Sequence, residues 1–144
     1  MAREIKFRGK TIPDRQWVFG YYVKMENETK TIQRHAIMDV ADTDNKFIKS
    51  GKNYQMSLSV VDSNTIGQFT GLQDKNGNEI YEGDIVRTLV SRLNATKNKK
   101  YRNFVIRYDA PHFWNGYDSI LMRPMYMEVI GNIHDNPELL KQED

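Results

Sequence analysis

Asn76-Gly77 falls midway between two β-prone runs, and no other feature restricts the fold of this chain so closely. Ile66, Phe69 and Leu72 lead up to it; Ile80, Tyr81, Ile85 and Val86 follow it. Asn-Gly in that setting predicts a β-hairpin closed by a type I′ turn, whose two central residues both need φ > 0. Gly83-Asp84 is a second punctuation mark, a tight turn or bulge that re-aims the chain before Ile85-Val86.

Most of the remaining chain also reads as strand. Residues 4–8 alternate, with Ile5 and Phe7 on one face and Glu4, Lys6 and Arg8 on the other, the pattern of a half-buried strand. Trp17 to Val23 is aromatic and β-branched enough for a second strand. Thr31 to Val40 is a third, although Ile32, His35, Ile37 and Val40 do not keep one parity. Ala41 to Tyr54 reads as loop apart from Phe47-Ile48; strand character resumes at Leu58 to Val61, before the turn cluster Asp62-Ser63-Asn64. Beyond the hairpin, a long strand is expected from Ile85 to Leu93, ended by Asn94 to Lys100. Tyr101 to Tyr108 alternates, placing Phe104, Ile106 and Tyr108 inward and Arg102 and Arg107 toward solvent. Asp109 to Asp118 is expected to be a loop, and Ile120-Leu121-Met122 and Met125 to Ile133 strands split by Pro124. Gly67 and Gly131 occupy matching places in two β-prone pentapeptides, and a strand glycine marks a bulge or a close backbone approach. Asn136 and Pro137 have the chemistry of an N-cap and first residue of a short helix, docked by Leu139-Leu140.

About eight or nine short strands with one terminal helical turn predict a mainly β fold. Its expected form is a small, partly open SH3-like barrel in residues 66–144, ending in the short C-terminal helix, after an N-terminal β subdomain in residues 1–65, the two packed as one compact unit.

Three blocks in order carry a family resemblance. The first is Arg3-Glu4-Ile5-Lys6-Phe7-Arg8, and the last runs from Glu128-Val129-Ile130-Gly131-Asn132 to Leu140. Between them lie Gln68-Phe69-Thr70-Gly71-Leu72, Asp74-Lys75-Asn76-Gly77 and Ile80-Tyr81-Glu82-Gly83-Asp84-Ile85-Val86. In these the chain resembles the YopX family of phage and prophage proteins. The resemblance implies a β-rich fold, a mobile-element origin and a bacterial cytoplasm, and it implies no activity. Roughly Trp17 to Asn64 and Thr88 to Met127 show no family pattern.

Composition narrows the function classes. A fold of 144 residues buries roughly 68–70% of the surface of its unfolded chain, so it needs neither metal nor disulfide to stand. The chain has no cysteine, which agrees with a reducing compartment and excludes thiol nucleophiles and cysteine-bound metals. No apolar run approaches the roughly 18 residues of a membrane span, and Met1-Ala2-Arg3-Glu4 does not open a signal peptide. A net charge of +2 implies no nucleic acid or membrane by itself.

Each constellation with chemistry in it has a structural reading beside the functional one. Asp74, Glu79, Glu82 and Asp84 fit a divalent-cation or acid–base site. They fit turn chemistry better, with Asp74 and Asp84 bonding nearby backbone. His35, His112 and His134 show no metal-ligand spacing, and no nucleophile–base pair stands out. The glycines do not follow a phosphate-cradling pattern. Positions 87–107 are the best functional lead: Arg87, Arg92, Lys97, Lys99, Lys100, Arg102 and Arg107, with no acid. Taking these 7 from the chain's 21 basic residues leaves 14 against 19 acidic ones, a net −5 elsewhere. A strand–loop–strand of that polarity fits a phosphate backbone, with Tyr101 or Phe104 stacking a base. It fits better a solvated hairpin tip whose lysines guard an edge, since Phe104 is needed in the core and stacking aromatics are few. Phe113, Trp114 and Tyr117 form an aromatic loop that suits a protein-binding surface or a plug for the barrel end.

The leading expectation is therefore a non-enzymatic β module that acts by binding a protein partner or its own copies as a homo-oligomer. The alternative is a nucleic-acid-binding accessory protein using residues 87–107. No cofactor, metal, membrane or small-molecule substrate is expected.

Overall fold

The computed structural model describes residues 4–43, 53–89, 101–110, 112–114 and 124–141. Their fold is mainly β, in two compact units: residues 5–68, and residues 69–144 together with the first four.

The first unit is an antiparallel meander. β1 (Phe7–Lys10), β2 (Trp17–Glu26), β3 (Gln33–Thr43) and β4 (Asn53–Val60) pair in the order β4-β3-β2-β1. The start of β5 (Gly67–Gln73) pairs with β1, Arg8 opposite Gly67. Across the sheet, Arg8 faces Phe19, Tyr21 faces Met38, and Met38 faces Leu58. Side chains alternate along a strand, so these registers sort the unit into two faces. One holds Phe7, Tyr22, His35 and Ile37, with the Tyr22 hydroxyl 2.7 Å from His35 Nδ1. The other holds Arg8, Phe19, Tyr21, Met38 and Leu58.

Two expectations change here, and a third finds its cause. Arg8 does not face solvent: it is buried, its guanidinium carbon 4.6 Å from the Trp17 ring centre, where the π-face favours a planar cation. The mixed parity of β3 has a cause in the burial of both Ala36 and Ile37. Adjacent residues on a strand point to opposite faces, so β3 is covered on both sides at that point. Strand also replaces part of the expected loop between Ala41 and Tyr54, at residues 41–43 and 53–54; Phe47-Ile48 lie outside the described residues.

The second unit is built on the hairpin. β5 continues to Gln73 and β6 (Glu79–Tyr81) returns beside it. The turn between them is not type I′, because Gly77 takes a positive φ of 84° and Asn76 does not. The Gly77 amide donates to the Asp74 carbonyl (3.0 Å) and the Asp74 amide to the Asn78 carbonyl (2.8 Å). That is a type I turn followed by a left-handed glycine, the three-residue hairpin loop. Asp74 decides the choice: its carboxylate accepts the amides of Asn76 (2.8 Å) and Asn78 (2.9 Å), fixing the turn from its first position.

Gly83, at φ 86°, ends the hairpin in the expected Gly-Asp turn. Its amide donates to the Ile106 carbonyl and its carbonyl accepts the Ile133 amide, both at 2.9 Å. The buried Asp84 carboxylate accepts the Tyr81 amide at 2.7 Å. β7 (Asp84–Leu89) then forms the centre of an antiparallel sheet ordered β11-β7-β8, between β8 (Tyr101–Val105) and β11 (Met127–Asn132). Residues 90–93 of the long strand expected there lie outside the described residues. Ile80, Val86, Ile106 and Met127 are the core, with Leu72, Phe104 and Val129 packed against it.

The strand expected over Tyr101–Tyr108 breaks at Ile106, whose amide donates to the Asp84 carbonyl. β9 (Arg107–Asp109) instead pairs with β10 (His112–Trp114), so three residues of the expected aromatic loop are strand. Tyr108 consequently faces outward, not inward. At the C-terminal end, the register shifts between Val129 and Gly131. A Cβ on Gly131 would lie 2.5 Å from Asn136 Oδ1, a close approach that only glycine permits. Asn136 makes no side-chain cap bond, and Pro137–Leu140 is a single 3-10 turn. Leu139 is half-buried and accepts the Asn103 side-chain amide at 2.8 Å; Leu140 is exposed. Among the described residues the strands of this unit do not close into a barrel.

Candidate protein interface

The second face of the first unit gathers five exposed large hydrophobic residues, Phe19, Tyr21, Met56, Leu58 and Val60. Tyr21, Met38 and Leu58 form one row across β2, β3 and β4. Tyr21 is 56% and Leu58 51% exposed, and Met56 on the same face of β4 is 69% exposed. Phe19 and Val60 extend the surface along their strands and are also exposed. Large contiguous apolar patches are common at interaction surfaces, where aromatic and methionine side chains are enriched. The arrangement follows from sequence: Met56, Leu58 and Val60 alternate with Ser57 and Ser59. That alternation, and the absence of charge from Asn53 to Val61, are the signals that would have found it.

The basic run is described only in part. Arg92, Lys97, Lys99 and Lys100 lie outside the described residues. Arg87 and Arg102 are both exposed, but Arg87 stands opposite Asn103 and Arg102 opposite Thr88, which puts the two side chains on opposite faces of the β7–β8 pair. Arg87 also stands opposite Glu128 on β11. The hydrogen bond from Lys75, at 2.8 Å, and the charges of Lys75 and Arg87 hold the Glu128 carboxyl below its ordinary value. The same hydrogen bond raises the Lys75 ammonium above its own.

Of the aromatic set, Phe113 is only 8% exposed and meets Tyr108 edge-on at 5.2 Å. It supports the exposed Tyr108 more than it offers a contact itself. Trp114 pairs its backbone with Arg107, and Tyr117 lies outside the described residues.

The acidic set serves the hairpin and its link to β11. Asp74 Oδ2 accepts the Val129 amide at 2.9 Å and the Asn78 side-chain amide at 3.2 Å, besides the two turn amides on Oδ1. Glu79 accepts the Tyr81 hydroxyl at 2.7 Å. Among the described residues no three His, Asp or Glu side chains gather as a metal site. No helix among them is long and apolar enough to cross a membrane.

A family model described as YopX protein matches residues 6–141. No curated protein matches the chain. Among solved structures, the crystal structure of protein EF1440 from Enterococcus faecalis is similar over 97% of this chain and 100% of that one, with a TM-score of 0.60 and 24% identity. That likeness concerns the fold.

Proposed function

The chain belongs to the YopX family, and from that premise we propose that it is a phage- or prophage-encoded, non-enzymatic β module that acts in the bacterial cytoplasm by binding protein. The contact surface is the apolar face of β2, β3 and β4. One observation carries this reading: the row Tyr21, Met38 and Leu58, flanked by exposed Phe19, Met56 and Val60. A nucleic-acid surface on residues 87–107 is less favoured, because Arg87 and Arg102 point to opposite faces and Arg87 stands beside an ionised Glu128. In this reading the second unit is a partly open SH3-like scaffold, and the absence of cysteine suits a reducing compartment.

The test is affinity capture from bacterial cells carrying the tagged chain, with and without nuclease, beside a Leu58→Asp variant. Leu58 is half exposed, so the variant keeps the fold while placing a charge in the apolar row. The reading expects a defined set of proteins, own copies included, retained after nuclease and lost with Leu58→Asp. Recovery that depends on nucleic acid, or that ignores the variant, contradicts it.

A further inference from the structure

The outer edge of β4, beside this face, offers a contact of its own. β4 is the terminal strand of its sheet. The Val61 amide donates to the His35 carbonyl at 2.8 Å, and Ala36 stands opposite Val60. Bonded and non-bonded positions alternate in an antiparallel pair. Residues 53, 55, 57 and 59 therefore turn their amides and carbonyls toward β3, and those of 54, 56 and 58 point outward. Past them the edge is occupied, since the Val60 carbonyl accepts the Ile12 amide at 3.3 Å.

Exposed edges are ordinarily guarded by lysine, proline, a bulge or shortness. β4 has none of these: Asn-Tyr-Gln-Met-Ser-Leu-Ser-Val is 8 residues without charge, proline or glycine. Its exposed edge is a template for another strand.

Building on the protein-binding reading above, we infer that this strand is β4 of a second copy, paired antiparallel about a two-fold axis at Met56. The outward positions 54, 56 and 58 are symmetric about 56. A two-fold there sets 56 against 56 and 54 against 58 as hydrogen-bonded pairs, and stops short of the occupied Val60 carbonyl. The register also keeps Met56 and Leu58 of both copies on one face, so the apolar surface runs on across the junction. Charge selects self over stranger. A two-fold contact brings each residue near its own copy, and like charges directly opposite one another destabilise a pair. An uncharged strand is what that arrangement requires, whereas an unrelated partner gains from opposite charge. Asp39, facing Ser57 from β3, comes no closer to its copy than three strand spacings. That is about 14 Å, beyond a screening length of about 8 Å.

The purified full chain is examined by sedimentation velocity over a wide dilution series, as wild type, Met56→Lys, Met56→Glu and an equimolar mixture of the two variants. Met56 is exposed, and matching melting curves confirm that the variants fold. The wild type should show a monomer–dimer equilibrium, each variant should weaken it several-fold, and the mixture should restore it. A wild type that is monomeric throughout overturns self-pairing, while capture of another protein through Leu58 would leave the broader reading intact. A dimer that survives in both variants overturns the site. A dimer lost in both and not regained on mixing overturns the register centred on Met56.

Discussion

The Asp74 carboxylate accepts the Val129 amide at 2.9 Å, joining residues 55 apart in the chain. Beside it, the Lys75 amide donates to the Met127 carbonyl at 3.1 Å, and the Lys75 ammonium meets Glu128. The hairpin turn is therefore clipped to β11 at three consecutive residues, and Asp74 serves the turn and the clip at once.

Asp74→Asn should cost about 1–3 kcal/mol, the range for leaving buried hydrogen-bonding groups unsatisfied. Burial opposes ionisation of Asp74, but the hydrogen bonds from Val129, Asn78 and Asn76 outweigh it and hold the carboxyl below its ordinary value. A carboxyl lowered in the folded state stabilises fully above its unfolded pKa of about 3.9 and loses that contribution as pH falls through the lowered folded value. Urea unfolding at a series of acid pH values should show a shallower acid loss in Asp74→Asn than in wild type. Parallel curves would remove Asp74 from this role.

Gly77 isolates the backbone term of the turn. A Cβ there meets nothing within 4 Å, so substitution is resisted by the φ of 84° alone. Gly77→Ala should cost about 1 kcal/mol, and Gly77→Val more, because a β-branched side chain crowds the left-handed region. An unfolding free energy unchanged in the valine variant would show that the turn relaxes and does not set the hairpin.

Gly131 and Asn136 should be coupled. Gly131→Ala forces its Cβ onto Asn136 Oδ1, which accepts the Asn132 amide at 3.4 Å. Asn136→Ala removes Oδ1 and Cγ and leaves only its Cβ, at 3.0 Å, so the double variant should be less destabilised than the two singles together, by about 0.5–3 kcal/mol. Additive losses in a thermal-melt cycle would locate the strain elsewhere.

Truncation after Asn136 should have a moderate cost. Among the described residues it removes the bond from Asn103 to the Leu139 carbonyl, the bond from the Leu139 amide to the Asn136 carbonyl, and part of a half-buried leucine. About 1 kcal/mol for each bond, with a fraction of a buried leucine's about 1.5–3, sets the scale. A large drop in Tm would mean that the 3-10 turn supports more than its contacts account for.

Sequence reading located the hairpin because Asn-Gly and Gly-Asp act locally. It missed the turn type because the deciding group is the Asp74 side chain, which the dipeptide signal ignores. Alternation places Ile106 inward, where the core holds it, whereas Ile80 and Val86 read only as β-prone residues beyond the turn. It misplaced Tyr108, since Ile106 is the last residue held to β7 and the chain beyond it pairs with β10 instead. Arg8 escaped for a related reason: alternation assigns a charge to solvent, and the Trp17 ring that covers it arrives from another strand. The apolar face of the first unit was legible only in part. Aromatic content announced Tyr21, but reading Met56, Leu58 and Val60 as one exposed row requires the strand register.

Amide hydrogen exchange along β4 tests the central claim most directly, because the two edges of one strand report separately. In the full-length chain at low concentration, the Met56 and Leu58 amides should exchange fast and those of Ser57 and Ser59, which face β3, slowly. Raising the concentration should protect Met56 and Leu58 and leave Ser57 and Ser59 unchanged. Met56 and Leu58 amides that stay fast at every concentration, or that are already protected in the dilute monomer, would contradict it.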